Sequence, residues 1–594
     1  MKRFASIDFL RGSAIVGMLL VHGIGNTIAF KPMLNNPEDM ALINLVALVA
    51  IPYLGGLAGF FLLVSAIGNM VSMYKRLQAG KPVKGLVIEQ VVGGILLIGF
   101  AYLCESTTGY HGALGEFFRN LHHPAHPDYL ARILGRGFVF ETIHTIAWCI
   151  LINGVVQGIL SRNGAWKDIR YQVTAYTVLA VVVVAVTQPV WQLVQMYGGP
   201  NGYPFDLTTG ESVYLPNVLI PTTTFLDVLK GAFLNPLAAP LEPLFPYLSI
   251  SFVGSIIAIV ISQPPGNVPR HFPKTMVLIG SLMFIVGTVG IVWFFITIAT
   301  GPGGFAEAAD ALMLIPFHRH WYNYPKIPAT FTFPFAWLWQ FLSLNGLAIM
   351  LTMLLIRAVE FRGRGASFAE KTAFIRRFGF IAFTNYNNQW CIWILQYVFG
   401  VIIAATGAQL LTYPGYMPGD SFNPYQRLDW GFTLLLVAAV FAVYHAIMRL
   451  WEKVGYIGSL EWCILTIIYA IVPAKKTGRH GETRKSWWQK GKLDVCNAFY
   501  NPEWLDIVRK EEVDHANNVD SKLALKVALA GLASIIFMPV TFITLAVAIE
   551  ARKTEGRNRY NSIAKTISVI GICVIVSVLI SLFFITPRMI RLPL

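Results

Sequence analysis

Apolar runs of about twenty residues recur along almost the whole chain, separated by polar turns and loops. A run of that length is what an α-helix needs to cross a hydrocarbon core of about 30 Å. Helices satisfy their own backbone groups in lipid, so the pattern predicts an all-α, polytopic transmembrane helical bundle. Core spans are expected over about 3–30, 42–72, 85–105, 138–161, 171–194, 244–263, 275–300, 333–356, 379–406 and 430–450. Two further apolar runs, about 523–549 and 563–586, read as a C-terminal hairpin. The intervening run 459–473 is apolar but short, which suggests a re-entrant or interfacial piece. Three regions follow: a core over 1–465, a hydrophilic linker with amphipathic pieces over 466–522, and the hairpin extension over 523–594. No solenoid-type repeat is visible.

The polar turns orient the spans. Met1-Lys2-Arg3, the turn YKRLQAGKPVKG, RNGAWKDIR and the arginines from Arg357 to Arg377 all fall on one side when the spans are counted alternately. The positive-inside rule makes that side cytoplasmic and the N-terminus with it, in what is expected to be the cell membrane. The rule then fails at the extension. If 474–521 lies inside, the basic turn EARKTEGRNRY lies outside, unless 459–473 spans. The start of the chain resembles a signal peptide, but Asp8 and Arg11 interrupt its apolar region, so a retained helix is expected.

Composition agrees with a membrane protein: of 594 residues 55% are hydrophobic and only 13% charged, with a mean hydropathy of +0.58. The net charge of +15 sits in particular turns, so nucleic acid is not an expected partner and the lipid bilayer is. Six cysteines are spread out without metal or redox spacing, which predicts neither a disulfide framework nor a cysteine metal site.

Candidate chemistry is concentrated in the first span. Asp8, Arg11 and His22 stand in an otherwise apolar run, and Arg11 and His22 are about three turns, or 16 Å, apart on nearly one helix face. Ionisable groups at membrane depth are costly unless they face a cavity or a partner, so this stripe lines something wet or buries a polar knot. Elsewhere, Glu89 with Gln90 faces an inner vestibule or snorkels to the interface. Glu141 and His144 lie one turn apart, suited either to orient His22 or bind an acceptor, or to cap a helix at the interface. Asn385, Asn387, Asn388 and Gln389 are too many amides for a lipid face and must hydrogen-bond inside the bundle. Glu461 calls for a partner such as Arg449 or Arg377, and His445 reads as a packed core residue. His111, His122, His123, His126, His318 and His320 lie in outside loops without fixed ligand spacing, so no metal is expected there.

Five motifs occur in one order: SIDFLRG followed by His22, RGFVFETIHTIAW at 136–148, LFPYLSISFVGSIIA at 244–258, FGFIAFTNYNNQW at 378–390 and GSLEW at 458–462. Together they resemble the transmembrane acyltransferase superfamily. This group includes the heparan-α-glucosaminide N-acetyltransferase-like proteins and the acyltransferase-three family of glycan O-acetylases. The resemblance covers about residues 5–465; Ser459 stands where proline is usual, and the C-terminal extension matches nothing in it. It implies transfer of an acyl group, most often acetyl, from acyl-CoA on the cytoplasmic side. The acceptor would be a hydroxyl or amine of a sugar or glycan on the far side. His22 would then be base or acyl carrier, with Asn385 as a second catalytic member. Arg11 would hold a coenzyme phosphate, with Asp8 and Glu89 in support, and Glu141 and His144 would meet the acceptor. Neutral imidazole suits either role of His22 near pH 7. Two other classes stay open: a transporter or flippase for an anionic or amphipathic solute, and a scaffold. The oligomeric state, a homodimer included, stays open too.

Overall fold

A computed structural model describes residues 4–28, 54–56, 58–109, 140, 142–198, 242–264, 267–302, 336–405, 430–472, 517–533 and 538–584, with a few short pieces between them. The described chain is an all-α bundle, and nine of its helices are long and apolar enough to cross a membrane. The first eight helices are α1 (Ala5–Thr27), α2 (Ala58–Gln78), α3 (Val83–Thr107), α4 (Thr142–Leu160), α5 (Ile169–Gly198), α6 (Leu244–Ile261), α7 (Phe272–Ala299) and α8 (Ala336–Val359). All eight overlap predicted spans. Short helices α9 (Gly365–Lys371), α10 (Ala373–Phe380) and α11 (Ala382–Asn387) follow, then α12 (Trp390–Ala405), α13 (Trp430–Glu452) and α14 (Leu460–Ile471). The C-terminal unit is α15 (Val519–Ala533), α16 (Met538–Glu555) and α17 (Arg559–Phe584).

The core lies around α6, almost wholly buried against α2, α4 and α5, and α8, which packs along α7. In lipid, close helix approach needs small residues, because burying apolar surface gains little there. Accordingly Gly280 and Gly346 bring α7 and α8 into backbone contact: a Cβ on Gly280 would stand 2.7 Å from the Met350 N, and one on Gly346 2.7 Å from the Gly280 carbonyl oxygen. The valine-rich α5 turns Val178, Val181 and Val182 outward, as a lipid-facing span should.

Two predicted spans are broken. The run expected as one helix over 379–406 is instead α10, α11 and α12. Its polar side chains take over the backbone bonds at the breaks. Glu461 accepts from the Phe383 N–H at 2.7 Å and from Thr384 Oγ1 at 2.5 Å. Asn385 Nδ2 donates to the Phe378 carbonyl at 3.0 Å. Glu461 therefore caps α11 rather than pairing with an arginine, and Arg377 pairs with Glu452 at 2.7 Å. Ser459, the departure from the usual proline, is the N-cap of α14, accepting from Trp462 N–H at 3.1 Å. With only 12 residues, α14 reaches about 18 Å, too short to span.

The second broken run is 523–549, which divides into α15 and α16 packed against each other and against α17. Pro539, at the second residue of α16, cannot donate to a continuing helix. Ala524, Ala528, Ala548, Ala551 and Ala564 form the seam between the three. The Glu555 carboxylate caps the start of α15, accepting from Asp520 N–H at 2.6 Å and Ser521 N–H at 2.9 Å. Residues 519–521 and 550–561 thus lie at one end. That end also holds the other basic turns. Asp520 pairs with Arg357 and Arg362, and Lys274 stands 3.8 Å from it. Gln78 donates to the Ser262 carbonyl at 2.9 Å, and Lys75 lies 4.7 Å over the Phe4 ring.

The turn EARKTEGRNRY therefore shares a side with the turns after α2 and α8. The apparent conflict with the charge rule came from treating 523–549 as one crossing. Single cysteines at Lys81 and Arg557, in a background without the six native ones, are expected to react with an impermeant maleimide from the same membrane side. Labelling from opposite sides would overturn this topology.

Candidate functional site

A cavity of about 960 Å³ lies between α1, α8, α16 and the broken α10–α12 segment. On α1 its wall runs from Phe9 through Ser13 and Gly17 to His22, about 20 Å of helix. Leu351, Leu354 and Leu355 of α8 and Ile543 and Val547 of α16 make its middle apolar. Its two ends are polar. Arg357, Arg362 and Arg364, with Asp520 and Glu550, line the basic end; His22, Tyr386 and Gln389 line the deep end.

His22 is held by the helix break. The turn between α11 and α12 carries Gln389, whose amide oxygen meets His22 Nδ1. Gln389 Nε2 donates to the Tyr386 carbonyl at 2.8 Å and to Met18 Sδ at 3.3 Å. Those two donations fix the amide so that its oxygen, not its nitrogen, faces the ring. Nδ1 is then the protonated nitrogen, and Nε2 carries the lone pair. A continuous helix over 379–406 would lack this turn, and non-helical backbone at membrane depth is tolerated where it borders such a cavity.

The other predicted residues are distributed differently. Asp8 is buried with its carboxylate 3.6 Å from the Arg376 guanidinium, so its partner on α10 is another arginine than Arg11. Arg11 turns onto α2, where a Cβ at Gly68 would lie 2.5 Å from its Nη2, and it does not line the cavity. Glu89 is engaged by Arg76, joining α3 to α2 away from the cavity. His144 is buried with its ring centroid 4.8 Å from that of Tyr102 and 5.3 Å from that of Phe140. It too is absent from the cavity wall, which α4 reaches through Thr142. Asn385 braces α11 to α10 and does not line the cavity. His445 is half-buried, while Tyr444 beside it is the buried residue, donating to the Asn388 carbonyl at 2.6 Å. Glu141 and the six loop histidines lie outside the described residues.

Three features were under-read in the sequence. Gln389 lay in the amide run but was not singled out; it is one turn beyond Asn385. The arginines after α8 read first as topology signals that meet anionic lipid, with one of them a candidate to help hold a nucleotide. Glu242, in a stretch read as outside loop, is buried at the cavity wall with Thr142 Oγ1 donating to its carboxylate at 2.6 Å. Its carbonyl accepts from Thr145 Oγ1 at 2.5 Å, and its backbone has φ of 35°. The signal was an acid between prolines directly before an apolar helix.

At the basic end Asp520 is the one acid shared by Arg357 and Arg362. Burial works against its ionisation, but the two guanidiniums outweigh it and hold its carboxyl below the usual carboxylate range.

No family model matches the chain, and no curated protein does. A solved structure of a mutant manganese transporter from Eremococcus coleocola aligns at 12% identity, covering 97% of this chain and 96% of that one, with a TM-score of 0.15. A superposition at that level carries no argument about fold or function.

Proposed function

We propose that this protein is an integral-membrane acyltransferase that takes an acyl group, most often acetyl, from acyl-CoA. The acceptor is a hydroxyl or amine of a sugar-type molecule. One observation carries the reading: a single cavity joins an arginine-lined basic end to a histidine whose Nε2 is its basic nitrogen. The donor would lie along it, phosphates at the arginines and thioester toward His22. The arginine for that contact is then Arg357, Arg362 or Arg364 rather than Arg11, which does not line the cavity.

In direct transfer, His22 Nε2 takes the acceptor's proton as its oxygen or nitrogen bonds to the thioester carbonyl carbon. The carbon–sulfur bond then breaks and coenzyme A leaves as thiolate, which takes up a proton. In the two-step alternative, Nε2 itself takes the acyl group before the acceptor does. Gln389 serves both by holding the ring and its tautomer.

Purified protein with radiolabelled acetyl-CoA tests the reading. Label should bind the protein and pass to an added sugar acceptor. Label retained on protein without acceptor would select the acyl-histidine route, and none retained would select direct transfer. A wild type that binds no acyl-CoA overturns the enzyme reading and turns the same cavity into a case for a transporter of amphipathic anions.

A further inference from the structure

The arginine-lined end of the cavity is partly lined by the region that the family resemblance does not cover. Arg357 and Arg362, at and just beyond the end of α8, both reach the Asp520 carboxylate on α15. Arg364 reaches Glu550 on α16. All five residues line the cavity. Two guanidiniums converging on one carboxylate are spaced for an anion with several acceptor oxygens, and each makes a stronger contact to a doubly charged phosphate than to a singly charged carboxylate. The carboxylate also meets Lys274 of α7 at 3.8 Å and accepts from Thr554 Oγ1 of α16 at 3.4 Å, but it is not what fixes the start of its own helix. The start of α15 is fixed by Glu555, which accepts from the Asp520 and Ser521 N–H groups and from Ser521 Oγ at 2.6 Å. The Asp520 side chain can therefore leave the arginines without undocking the C-terminal unit.

We propose that Arg357 and Arg362 form a binding site for a phosphate dianion at the cavity mouth, and that Asp520 is its resident counter-ion, displaced as the phosphorylated ligand enters. The C-terminal extension thereby sets the selectivity of the mouth. A monoanion gains too little to displace Asp520, whereas a phosphomonoester or diphosphate does. The ligand's identity as coenzyme A rests on the acyltransferase reading; its charge rests on the arginines alone. The same chemistry is offered by a lipid phosphate headgroup, so the test carries both.

Binding of coenzyme A, inorganic pyrophosphate and phosphatidic acid is measured on the full-length protein in phosphatidylcholine nanodiscs, for wild type, D520N, D520E and R362Q. Coenzyme A is expected to bind D520N about fivefold tighter than wild type, since a competing ion pair is removed. It should bind D520E as it binds wild type, and R362Q about tenfold weaker. Equal or weaker binding to D520N overturns the counter-ion role. The wild type alone supplies a second measure that survives any failure of D520N to fold. Saturating coenzyme A should raise carbodiimide-driven coupling of a soluble amine to the Asp520 carboxylate, read by mass spectrometry, while exchange at the Glu555-capped first amides of α15 stays unchanged. No rise in Asp520 labelling overturns displacement. If pyrophosphate or phosphatidic acid shows this pattern and coenzyme A does not, the phosphate site stands and the acyl-CoA reading falls. If coenzyme A binds but neither D520N nor R362Q alters its affinity, the donor reading stands and this site falls.

Discussion

His22→Ala is expected to abolish acyl transfer, lowering kcat about 100- to 10,000-fold, while leaving acyl-CoA bound within a few-fold of wild type. The separation follows from the length of the cavity. Its charged contacts lie at the basic end, and His22 lies about 20 Å along α1 from Phe9 at the other polar end. Removing the ring takes away the proton acceptor, or the acyl carrier, without touching the arginines. Gln389→Leu tests the positioning role from the same end. Without the amide oxygen at Nδ1, the ring loses its fixed tautomer, so kcat should fall about tenfold or more with KM little changed. The acid-side limb of the pH dependence should shift as well, since it reports deprotonation of the base, which a purely structural loss would not produce. Both variants are read by labelled transfer to a sugar acceptor beside an acyl-CoA binding measurement. An H22A protein that keeps a tenth of wild-type turnover would remove His22 from the chemistry.

The contrast between these residues and the rest of the expected site shows where sequence reading stopped. Hydropathy found α1 to α8 because each keeps one environment over enough residues to cross lipid, and run length alone reports that. The same measure merged α10 to α12, and α15 with α16, because a break costs little apolar character when side chains satisfy the freed backbone. Thr384, Asn385 and Glu461 do this at the first break, and Pro539 marks the second. The shared face of Arg11 and His22 was sound helical arithmetic. Its inference failed because the cavity winds around α1, bordered by Phe9, Leu10 and Ser13 at one end and Met18, Val21 and His22 at the other. What lies beside a helix at each level depends on its neighbours, here α2 at Arg11 and the α11–α12 turn at His22. Charge in the loops was legible as topology and, for one arginine, as a candidate nucleotide contact, but which arginines meet at one site was not, since only the C-terminal unit brings Asp520 and Glu550 onto them.

Arg376→Ala is expected to destabilise the folded protein by about 3–5 kcal/mol, as removing one member of a buried ion pair does. Arg376 is 1% exposed and Asp8 2%, with 3.6 Å between guanidinium and carboxylate. The guanidinium also donates from Nη1 to the Ala369 carbonyl at 3.0 Å and lies 5.4 Å over the Phe380 ring. Truncation therefore leaves a carboxylate in a low-dielectric interior and loosens α9 and α10 together. Solvent cannot compensate at that depth. The effect reaches the cavity, because α10 is clamped on α1 by glycines: a Cβ at Gly379 would stand 2.5 Å from the Asp8 carbonyl and 2.7 Å from Gly12 N. A shift of α10 moves α11, and with it the turn that presents Gln389 to His22. The double variant with Asp8→Asn should recover most of the loss, since an amide in place of the carboxylate no longer needs a cation. Thermal unfolding in detergent of the two single variants and the double completes the cycle, with a coupling of about 2 kcal/mol or more expected for groups in one ion pair. Additive losses would mean that the charges do not hold α1 to α10, and that glycine packing alone sets the position of the helix break.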